Sequence, residues 1–366
     1  MSSPTLSVAL VHDWLNQYGG AERVLERLVQ VYPKAPIYTS MYWRSRMPDD
    51  YRVWDIRTTW MDGLPGVYRF HQAFFPLYAL AFGRLDLRGA GYDLILSNKS
   101  GFCHGVQTGD TPHLCYCLAP TRYVWEYDQY AARENLPAVV KLLLKPLIHR
   151  LQRWDYRVAQ RRTTTFVAIS TEIQQRIRRY YQRDAEIVFP PVDVERFHPA
   201  DATDDYYLVV SRLIPYKRID LAVRAFTELG WPLKIVGDGR DRESLEAEAG
   251  PNVSFLGWVP DADLPGLVSR CQAFIFPGRE DFGLAPVEAQ AAGRPVIAYR
   301  AGGALDTVIE GTTGAFFDEP TLESLLNAVE SFDPNSVSRQ ACRSNAERFA
   351  FGRFQSRLNT IIRRLT

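Results

Sequence analysis

Short apolar runs alternate with longer stretches of helical periodicity along the whole chain. The first strand is predicted over residues 7–11, and a loop with two adjacent glycines separates it from a helical pattern over 21–31. Three more strands of this first set are predicted over residues 92–97, 114–117 and 165–169. A second set is predicted over residues 207–210, 233–236, 253–256, 273–276 and 296–299. Strands that alternate with helices are typical of doubly wound parallel sheets, so the pattern predicts an α/β fold.

A proline-rich segment separates the two sets of predicted strands. It contains Pro190 and Pro191, and Pro199 and a polar run over residues 201–205 follow. Proline can continue neither a helix nor a central strand, so this segment is the predicted connection between two domains. A length of 366 residues is also typical of two domains, and we expect the second domain to begin at residue 193.

The composition is that of a globular protein. Hydrophobic residues make up 46% of the chain and charged residues 23%, which excludes a disordered chain. The formal net charge is +1, so no nucleic-acid partner is expected. No apolar run approaches the roughly 18–20 residues that span a bilayer. The first apolar stretch ends at His12 and Asp13, so no secretory signal is expected, and five scattered cysteines favour a reducing cytoplasm.

The segment between Ala138 and Arg162 departs from the even balance of charge. It carries seven Lys or Arg residues and one acid, Asp155, which gives a local charge of +6. One row of basic side chains recurs every four residues, so on a helix it spirals instead of holding one face: Lys141, Lys145, His149, Arg153, Arg157 and Arg161. Pro146 is expected to bend or break such a helix. Two interpretations stay open: a solvated basic face, or a surface that attracts anionic lipid headgroups or a lipid diphosphate.

The stretch between Phe274 and Gly293 carries the most informative candidate chemistry. It is predicted to form a buried strand, a loop that contains Glu280, and a helix that starts near Leu284. The first N–H groups of that helix lack intrahelical partners, which predicts an anion site beside the loop. Glu280 and Glu288 next to such donors are consistent with a sugar and phosphate site at the carboxyl edge of a parallel sheet. By themselves the two carboxylates could equally be solvated surface groups.

Further motifs follow other predicted strands in a recognisable order. Glu280 and Glu288 are separated by seven residues that include Phe282-Gly283-Leu284. The other motifs are Gly19-Gly20-Ala21-Glu22, Val210-Ser211-Arg212-Leu213 with Lys217, Val236-Gly237-Asp238-Gly239 and Leu256-Gly257-Trp258-Val259. This set resembles the family-4 retaining glycosyltransferases, which have the GT-B fold, over the whole chain. The resemblance implies two Rossmann-like parallel-sheet domains that face a central cleft, an acceptor-side domain over 1–192 and a donor-binding domain over 193–345, with a crossover helix over 346–366 that returns to the first domain.

The resemblance also implies roles for matching positions. Glu280 would contact the transferred sugar, and Glu288 would bind the ribose hydroxyls of the donor. Arg212 and Lys217 would neutralise the donor diphosphate, and the glycines of the first loop would let the backbone approach the donor. The expected donor-binding residues are Gly19, Gly20, Arg212, Lys217, Phe282, Gly283, Leu284 and Glu288.

Neither a metal nor a cofactor is expected. Side-chain cations at the leaving diphosphate make a divalent metal dispensable. Asp261 and Asp263 superficially match the Asp-x-Asp motif of other transferases. They stand just before a helical pattern, however, where Asp263 is better explained as a helix cap.

A leucine occupies a position where many members of the resembled family carry a histidine. Leu118 cannot form a hydrogen bond with a sugar, whereas histidine can. Four polar residues are candidates to serve instead: His12, Asp13, His104 and Arg122. Of these, His12 at the end of the first strand is predicted to be catalytic together with Glu280. The other interpretations of this departure are a subfamily that does without the histidine and an inactive, degenerate transferase.

The segment around Leu118 is similar to a mannosyltransferase-like branch that builds bacterial O-antigen and exopolysaccharide. The resemblance therefore implies a retaining hexosyltransferase that transfers mannose from GDP-mannose to a lipid-linked or saccharide acceptor. We expect it in the cytoplasm or at the inner face of the cell membrane. The alternatives are a UDP-sugar-dependent transferase, a sugar-nucleotide epimerase and an inactive nucleotide-sugar-binding protein. A dinucleotide oxidoreductase is disfavoured, because Gly19 and Gly20 lack the Gly-x-Gly-x-x-Gly spacing.

Overall fold

The chain forms two compact units. The structure, a computed structural model, describes residues 6–133 and 137–366. The first unit comprises Met1–Phe189 together with Gln355–Thr366, and the second comprises Pro190–Phe354. The predicted division of labour between an acceptor-side and a donor-binding domain stays a prediction.

The first unit is built on a parallel sheet of seven strands. The strands are β1 (Val8–His12), β2 (Ile37–Thr39), β3 (Ile56–Thr58), β4 (Leu94–Lys99), β5 (His113–Cys117), β6 (Thr165–Ala168) and β7 (Ala185–Ile187). Their order across the sheet is β3-β2-β1-β4-β5-β6-β7, and every neighbouring pair is parallel. The central strands β1, β4 and β5 are buried along their whole length, which explains their nearly continuous apolar sequences.

Helices of the first unit connect these strands. They are α1 (Gly20–Val31), α2 (Phe75–Arg84), α3 (Arg122–Trp125), α4 (Tyr127–Arg133), α5 (Ala138–Arg161) and α6 (Thr171–Tyr181). Helix α1 buries Val24, Leu25 and Leu28 on one face, as its 3.6-residue periodicity predicts. Helix α5 continues through Pro146, so this proline does not break the helix, and a bend there stays a prediction.

The second unit repeats the same design with six strands. They are β8 (Tyr207–Val210), β9 (Leu233–Val236), β10 (Val253–Gly257), β11 (Phe274–Phe276), β12 (Val296–Tyr299) and β13 (Gly314–Phe317). The order is β10-β9-β8-β11-β12-β13, again with parallel neighbours throughout. The helices are α7 (Ile219–Leu229), α8 (Arg242–Glu248), α9 (Leu264–Arg270), α10 (Leu284–Ala291), α11 (Ala304–Thr307), α12 (Leu322–Ser331) and α13 (Arg339–Ala346). The last helix, α14 (Phe351–Ile362), begins in this unit and ends in the C-terminal segment that belongs to the first.

The predicted fold class is confirmed: both units are doubly wound α/β units with parallel sheets. The crossover helix expected over 346–366 is shorter than that range, since its α-helical part is α14. Helix α13 ends at Ala346, a short 3₁₀ turn covers Glu347–Phe349, and α14 begins at Phe351. The division between the two compact units falls inside α14, after Phe354.

Each sheet reverses its strand order at one point. In the first unit the reversal lies between β1 and β4, and in the second it lies between β8 and β11. The connections after the two central strands leave to opposite faces of the sheet there, which opens a crevice at their carboxyl ends. Ligands of open α/β sheets bind at such positions, so the ends of these four strands are the places to look for a site.

Candidate functional site

In the second unit, an ion pair lies at the reversal point of the sheet. Lys217 is in the connection that follows β8, and Glu280 is in the connection that follows β11. The Nζ atom of Lys217 contacts Oε1 of Glu280, and the two side chains are only 12% and 18% exposed. Two residues 63 positions apart in sequence are thus brought together, as a shared site requires.

The backbones of these two connections are in close contact beneath the ion pair. A Cβ atom at Gly278 would lie 2.6 Å from the carbonyl oxygen of Lys217, too close for any side chain. Glycine therefore permits the approach that brings Lys217 and Glu280 together. The carbonyl oxygen of Glu280 accepts a hydrogen bond of 2.8 Å from the N–H of Gly303, which ties the loop to the connection after β12.

The predicted Phe282-Gly283-Leu284 motif forms the start of α10. Gly283 precedes the helix with φ +87°, and a Cβ atom there would lie 2.7 Å from the ring of Phe276. Phe282 is buried, and its ring packs edge-on against Phe349 with centroids 5.6 Å apart. The first N–H groups of α10, beginning at Leu284, have no partner within the helix and are available to an anion.

The remaining two predicted residues of this unit occupy different environments. Glu288 lies in the second turn of α10 and is buried. Arg212 follows β8 directly and is exposed, and its guanidinium has no ion-pair partner within the described residues. Arg212 therefore adds an unneutralised positive charge to the connection that follows β8, the same connection that carries Lys217. These placements are compatible with the predicted roles, which stay predictions.

In the first unit, the predicted glycine loop lies where β1 leads into α1. Gly19 precedes the helix in an extended conformation, and Gly20 is the first residue of α1. Neither contributes a side chain, so the loop presents only its backbone at this end of β1. The donor-binding role of Gly19 and Gly20 stays a prediction.

His12 ends β1 and is almost completely buried. In register with it on the neighbouring strand stands Asn98, whose Nδ2 atom lies 3.2 Å from Nδ1 of His12 and 2.9 Å from the carbonyl oxygen of Ala21. The Nε2 atom of His12 lies 3.4 Å from Oε1 of Glu22. Both ring nitrogens therefore face protein groups, and nothing in this arrangement presents His12 to a substrate. Its predicted catalytic role stays a prediction, and the sequence analysis missed Asn98 and the contact with Glu22.

Two of the other candidates to replace the missing histidine are also engaged inside the protein. The carboxylate of Asp13 accepts hydrogen bonds from the N–H groups of Ser100, Gly101 and Cys103 at 2.6–2.8 Å. His104 is fully buried, and burial together with the nearby Lys99 charge holds its pKa well below the ordinary value. Asp13 thus shapes the connection after β4, and His104 is a neutral core residue.

A buried lysine positions the segment that contains Leu118. Lys99 ends β4 and has no exposed surface. Its ammonium donates to the carbonyl oxygen of Ala119 at 3.1 Å and to the hydroxyl of Thr121 at 3.3 Å. A lysine in an apolar strand pattern gives no sign of this role, and its apolar neighbours alone predict only a buried strand.

Helix α5 exposes an apolar surface as well as basic side chains. Val139, Leu142 and Leu143 are 68%, 67% and 72% exposed. Asp155, the one acid of the segment, is fully buried, and it accepts hydrogen bonds from the indole of Trp125 at 2.6 Å and the hydroxyl of Tyr181 at 2.8 Å. The exposed part of α5 therefore carries no acid. Among the described helices, none is long and apolar enough to cross a membrane.

The Asp261 and Asp263 pair shows no sign of a metal site. Asp263 occupies the position before α9, although its side chain makes no capping hydrogen bond. A carboxylate oxygen of Asp261 lies 3.6 Å from the guanidinium of Arg196. Over residues 6–133 and 137–366, no group of three or more His, Cys, Asp or Glu side chains is arranged to hold a metal ion.

The fold is that of the GT-B glycosyltransferases, with two Rossmann-like units of seven and six parallel strands. One similar solved structure is HepE of Anabaena in complex with UDP, with a TM-score of 0.72 and 17% sequence identity. The similarity covers 98% of this chain and 99% of that one. At this identity, the similarity shows the fold alone.

Residues 193–349, most of the second unit, match the family described as glycosyl transferases group 1. Mannosyltransferases are among the relatives. A GDP-mannose-dependent α-(1-6)-phosphatidylinositol monomannoside mannosyltransferase of Mycolicibacterium smegmatis is 33% identical over 38% of this chain and 44% of its own length. The lipopolysaccharide core biosynthesis mannosyltransferase LpcC of Rhizobium leguminosarum bv. viciae is 27% identical over 64% of this chain and 74% of its own. The chain spans about half the length of the curated relatives it matches.

Proposed function

We propose that this protein is a retaining glycosyltransferase that transfers a hexose from a nucleotide sugar to a lipid-linked or saccharide acceptor. The observation that carries the proposal is the meeting of Lys217 and Glu280 where the second sheet reverses its strand order. Such reversal points bind nucleotides in doubly wound sheets. The match of residues 193–349 to group 1 glycosyl transferases supports the same function.

The positive charge in the second unit fits a departing nucleoside diphosphate. Lys217 has three N–H donors, so it can keep Glu280 and still contact a phosphate oxygen. The exposed guanidinium of Arg212 and the free N–H groups at the start of α10 supply further donors. Fixed donors of this kind stabilise charge that develops on a leaving group. We propose that they do the work a divalent cation does elsewhere, so that transfer is independent of metal.

The two glutamates fit different parts of the donor. In our proposal Glu280, held by Lys217 next to the diphosphate position, contacts the transferred sugar near the reacting carbon. Glu288, buried in α10, accepts hydrogen bonds from the ribose hydroxyls. Retention would follow from attack on the face that the diphosphate leaves, with a phosphate oxygen taking the proton of the incoming hydroxyl.

GDP-mannose is the donor that we propose. Support comes from the two mannosyltransferase relatives, one of them named as GDP-mannose-dependent. A UDP-sugar is the second candidate, because HepE, which shares the fold, binds UDP.

We also propose that α5 contacts an anionic membrane, where a lipid-linked acceptor would be presented. Val139, Leu142 and Leu143 would enter the headgroup region, and Lys141 and Lys145 would meet anionic headgroups. The buried position of Asp155 supports this contact, since the exposed part of the helix keeps its positive charge undiminished. A cytoplasmic location at the inner face of the membrane fits five cysteines that are all free and buried.

The test incubates the protein with GDP-mannose or UDP-glucose, with and without alkyl glycoside acceptors, in the presence of EDTA. We expect release of nucleotide that depends on acceptor and a product with retained anomeric configuration. An isomerised donor would instead show an epimerase, and binding without any product would show a nucleotide-sugar-binding protein. Activity that is lost in EDTA and restored by manganese would contradict metal independence.

A further inference from the structure

We propose that Glu22 is a sugar-binding carboxylate of the first unit, and that His12 and Asn98 act as its positioning residues. This inference rests on the proposed glycosyl transfer and adds a group to it. The resemblance and the sequence pattern assign no role to Glu22 beyond its place in the Gly-Gly-Ala-Glu motif. The structure places it where the first sheet reverses its strand order, since α1 follows β1 directly.

The carboxylate of Glu22 has one oxygen held inside the protein and one facing the glycine loop. The side chain is 3% exposed, and Oε1 lies 3.4 Å from Nε2 of His12. The other oxygen, Oε2, points toward Gly19, since a Cβ atom added there would lie 3.4 Å from it. A carboxylate oxygen of Glu22 therefore lies beside the backbone of Gly19 in the glycine loop.

The orientation of the His12 ring follows from the amide of Asn98. The carbonyl oxygen of Ala21 can only accept, so the Nδ2 atom of Asn98, at 2.9 Å, must donate to it. The same nitrogen faces Nδ1 of His12 at 3.2 Å, so its second hydrogen is donated to the ring. Because Nδ1 accepts, the ring proton of neutral His12 lies on Nε2 and points at Glu22. The hydrogen bonds from Asn98 to His12 and from His12 to Glu22 thus hold the carboxylate in place. Oε2 of Glu22 remains as the acceptor for a ligand.

A sugar hydroxyl is the ligand that fits such an acceptor. A carboxylate repels a diphosphate, so Oε2 is unsuited to the charged part of a nucleotide sugar, whereas it accepts strong hydrogen bonds from hydroxyls. Glu22 lies in the first turn of α1, where the helix dipole favours a negative charge.

Both the donor and the acceptor carry hexose hydroxyls, so the hydroxyl that Glu22 binds could belong to either substrate. The experiment compares Glu22→Gln with the wild type for GDP-mannose hydrolysis in water and for transfer to an alkyl mannoside. Glu26→Gln, one turn further along α1, is the matched control. We expect Glu22→Gln to lower kcat/KM about 10- to 100-fold, with the affinity for GDP unchanged within about twofold. A loss in both reactions assigns the hydroxyl to the donor, and a loss in transfer alone assigns it to the acceptor.

Monodeoxy analogues of the assigned sugar separate recognition from a structural role. The wild type should discriminate against one of these analogues, and Glu22→Gln should lose that discrimination. His12→Gln as a single substitution should lower kcat/KM. Added to Glu22→Gln, it should lower kcat/KM by less than a further factor of about two, because His12 acts through Glu22. Equal activity of Glu22→Gln and wild type, or an equal loss for every analogue, would overturn the role of Glu22. Absence of turnover by the wild type would instead overturn the proposed function and this inference with it.

Discussion

At the scale of single residues, the proposed sugar transfer depends most on Glu280. Its carboxylate is paired with Lys217, and both side chains are mostly buried. Glu280→Ala is expected to abolish sugar transfer, since the transferred sugar loses its carboxylate. Affinity for the nucleotide should stay within a few fold, because Arg212 and Lys217 keep their charge. Kinetics and calorimetry with GDP measure the two effects.

The control for Glu280 is Glu248→Ala, which removes an ion pair with Arg224 elsewhere in the second unit. That pair is about half exposed, so its loss should change neither turnover nor stability by much. Undiminished turnover of Glu280→Ala would remove Glu280 from the site.

His113 predicts a pH dependence of stability in the first unit. Burial lowers the pKa of His113 to about 4. The unfolded residue binds a proton near pH 6.5, so between pH 6.5 and pH 4 the unfolded state holds more protons and stability falls as the pH falls. Burial keeps the ring neutral, although Nδ1 donates to the carbonyl oxygen of Arg162 at 2.7 Å, which by itself raises the pKa; Nε2 lies 2.9 Å from the hydroxyl of Ser97.

The corresponding measurement is urea denaturation at pH 7 and pH 4.5. The decrease in the free energy of unfolding should be about 2 kcal/mol smaller for His113→Gln than for the wild type. His149 is at an exposed position of α5. The free energy of unfolding of His149→Gln should therefore decrease between pH 7 and pH 4.5 by as much as that of the wild type. An equal decrease in all three proteins would contradict a neutral, buried His113.

His12 shows why single residues are harder to predict than strands. That His12 ends the first strand could be predicted from the sequence, because the apolar run stops at this polar residue. Its partners could not, since Asn98 reaches it through the pairing of β1 with β4, 86 residues apart. The same holds for Lys217 and Glu280: their types and loops were predictable, whereas their contact depends on packing of the backbone at Gly278.

At the scale of secondary-structure elements, the start of α10 is tightly constrained by its backbone conformation and by a neighbouring ring. Gly283→Ala would place a side chain at φ +87° and against the ring of Phe276. The backbone conformation costs about 1–2 kcal/mol, and the overpacking adds about 1–3 kcal/mol. Gly311 also has a positive φ, +70°, but a Cβ atom there meets nothing within 4 Å.

Gly311→Ala is therefore the matched control and should show the backbone cost alone. Urea denaturation of the two variants measures the difference. Equal loss of stability would mean that Phe276 moves away without cost, and the start of α10 would then be less rigid than we describe.

Helix α5 carries the membrane proposal, and its exposed leucines test it. The variant with Leu142→Ser and Leu143→Ser should bind phosphatidylglycerol vesicles at least about 10-fold more weakly, because burying a leucine contributes about 1.5–3 kcal/mol. Leu305→Ser, at a residue of the second unit that is 55% exposed, should bind as the wild type does. Vesicle co-sedimentation measures both.

Failure of the wild type to prefer phosphatidylglycerol over phosphatidylcholine at low salt would contradict the proposal. Binding that is equal in the α5 variant and the wild type would show that another surface makes the contact.

The strands that could not be predicted from the sequence differ from the others in length, composition or position. β2, β3 and β7 have three residues each and include polar residues, whereas the equally short β11 is apolar throughout. β13 begins at a glycine, which sequence patterns associate with turns, and it lies at the edge of its sheet. The buried strands at the centre of each sheet were predictable because burial on both faces favours a run of apolar residues.

At the scale of the whole molecule, the two units repeat one topology. Each sheet reverses its order next to its first strand, at β1 and β4 in one unit and at β8 and β11 in the other. Alternation of strands and helices predicts this class of fold but leaves the strand order open, since several orders satisfy the same pattern. The candidate residues of both units nevertheless follow these reversal points, which is why motif positions alone located them.

The central claim is that the connections after β8 and β11 hold the diphosphate of a nucleotide sugar. A crystal structure of the protein with GDP-mannose tests it most directly. The account predicts phosphate oxygens within about 3.2 Å of Nζ of Lys217 and of the guanidinium of Arg212. A nucleotide whose phosphates contact neither side chain, or one that binds outside the carboxyl ends of β8 and β11, would contradict it.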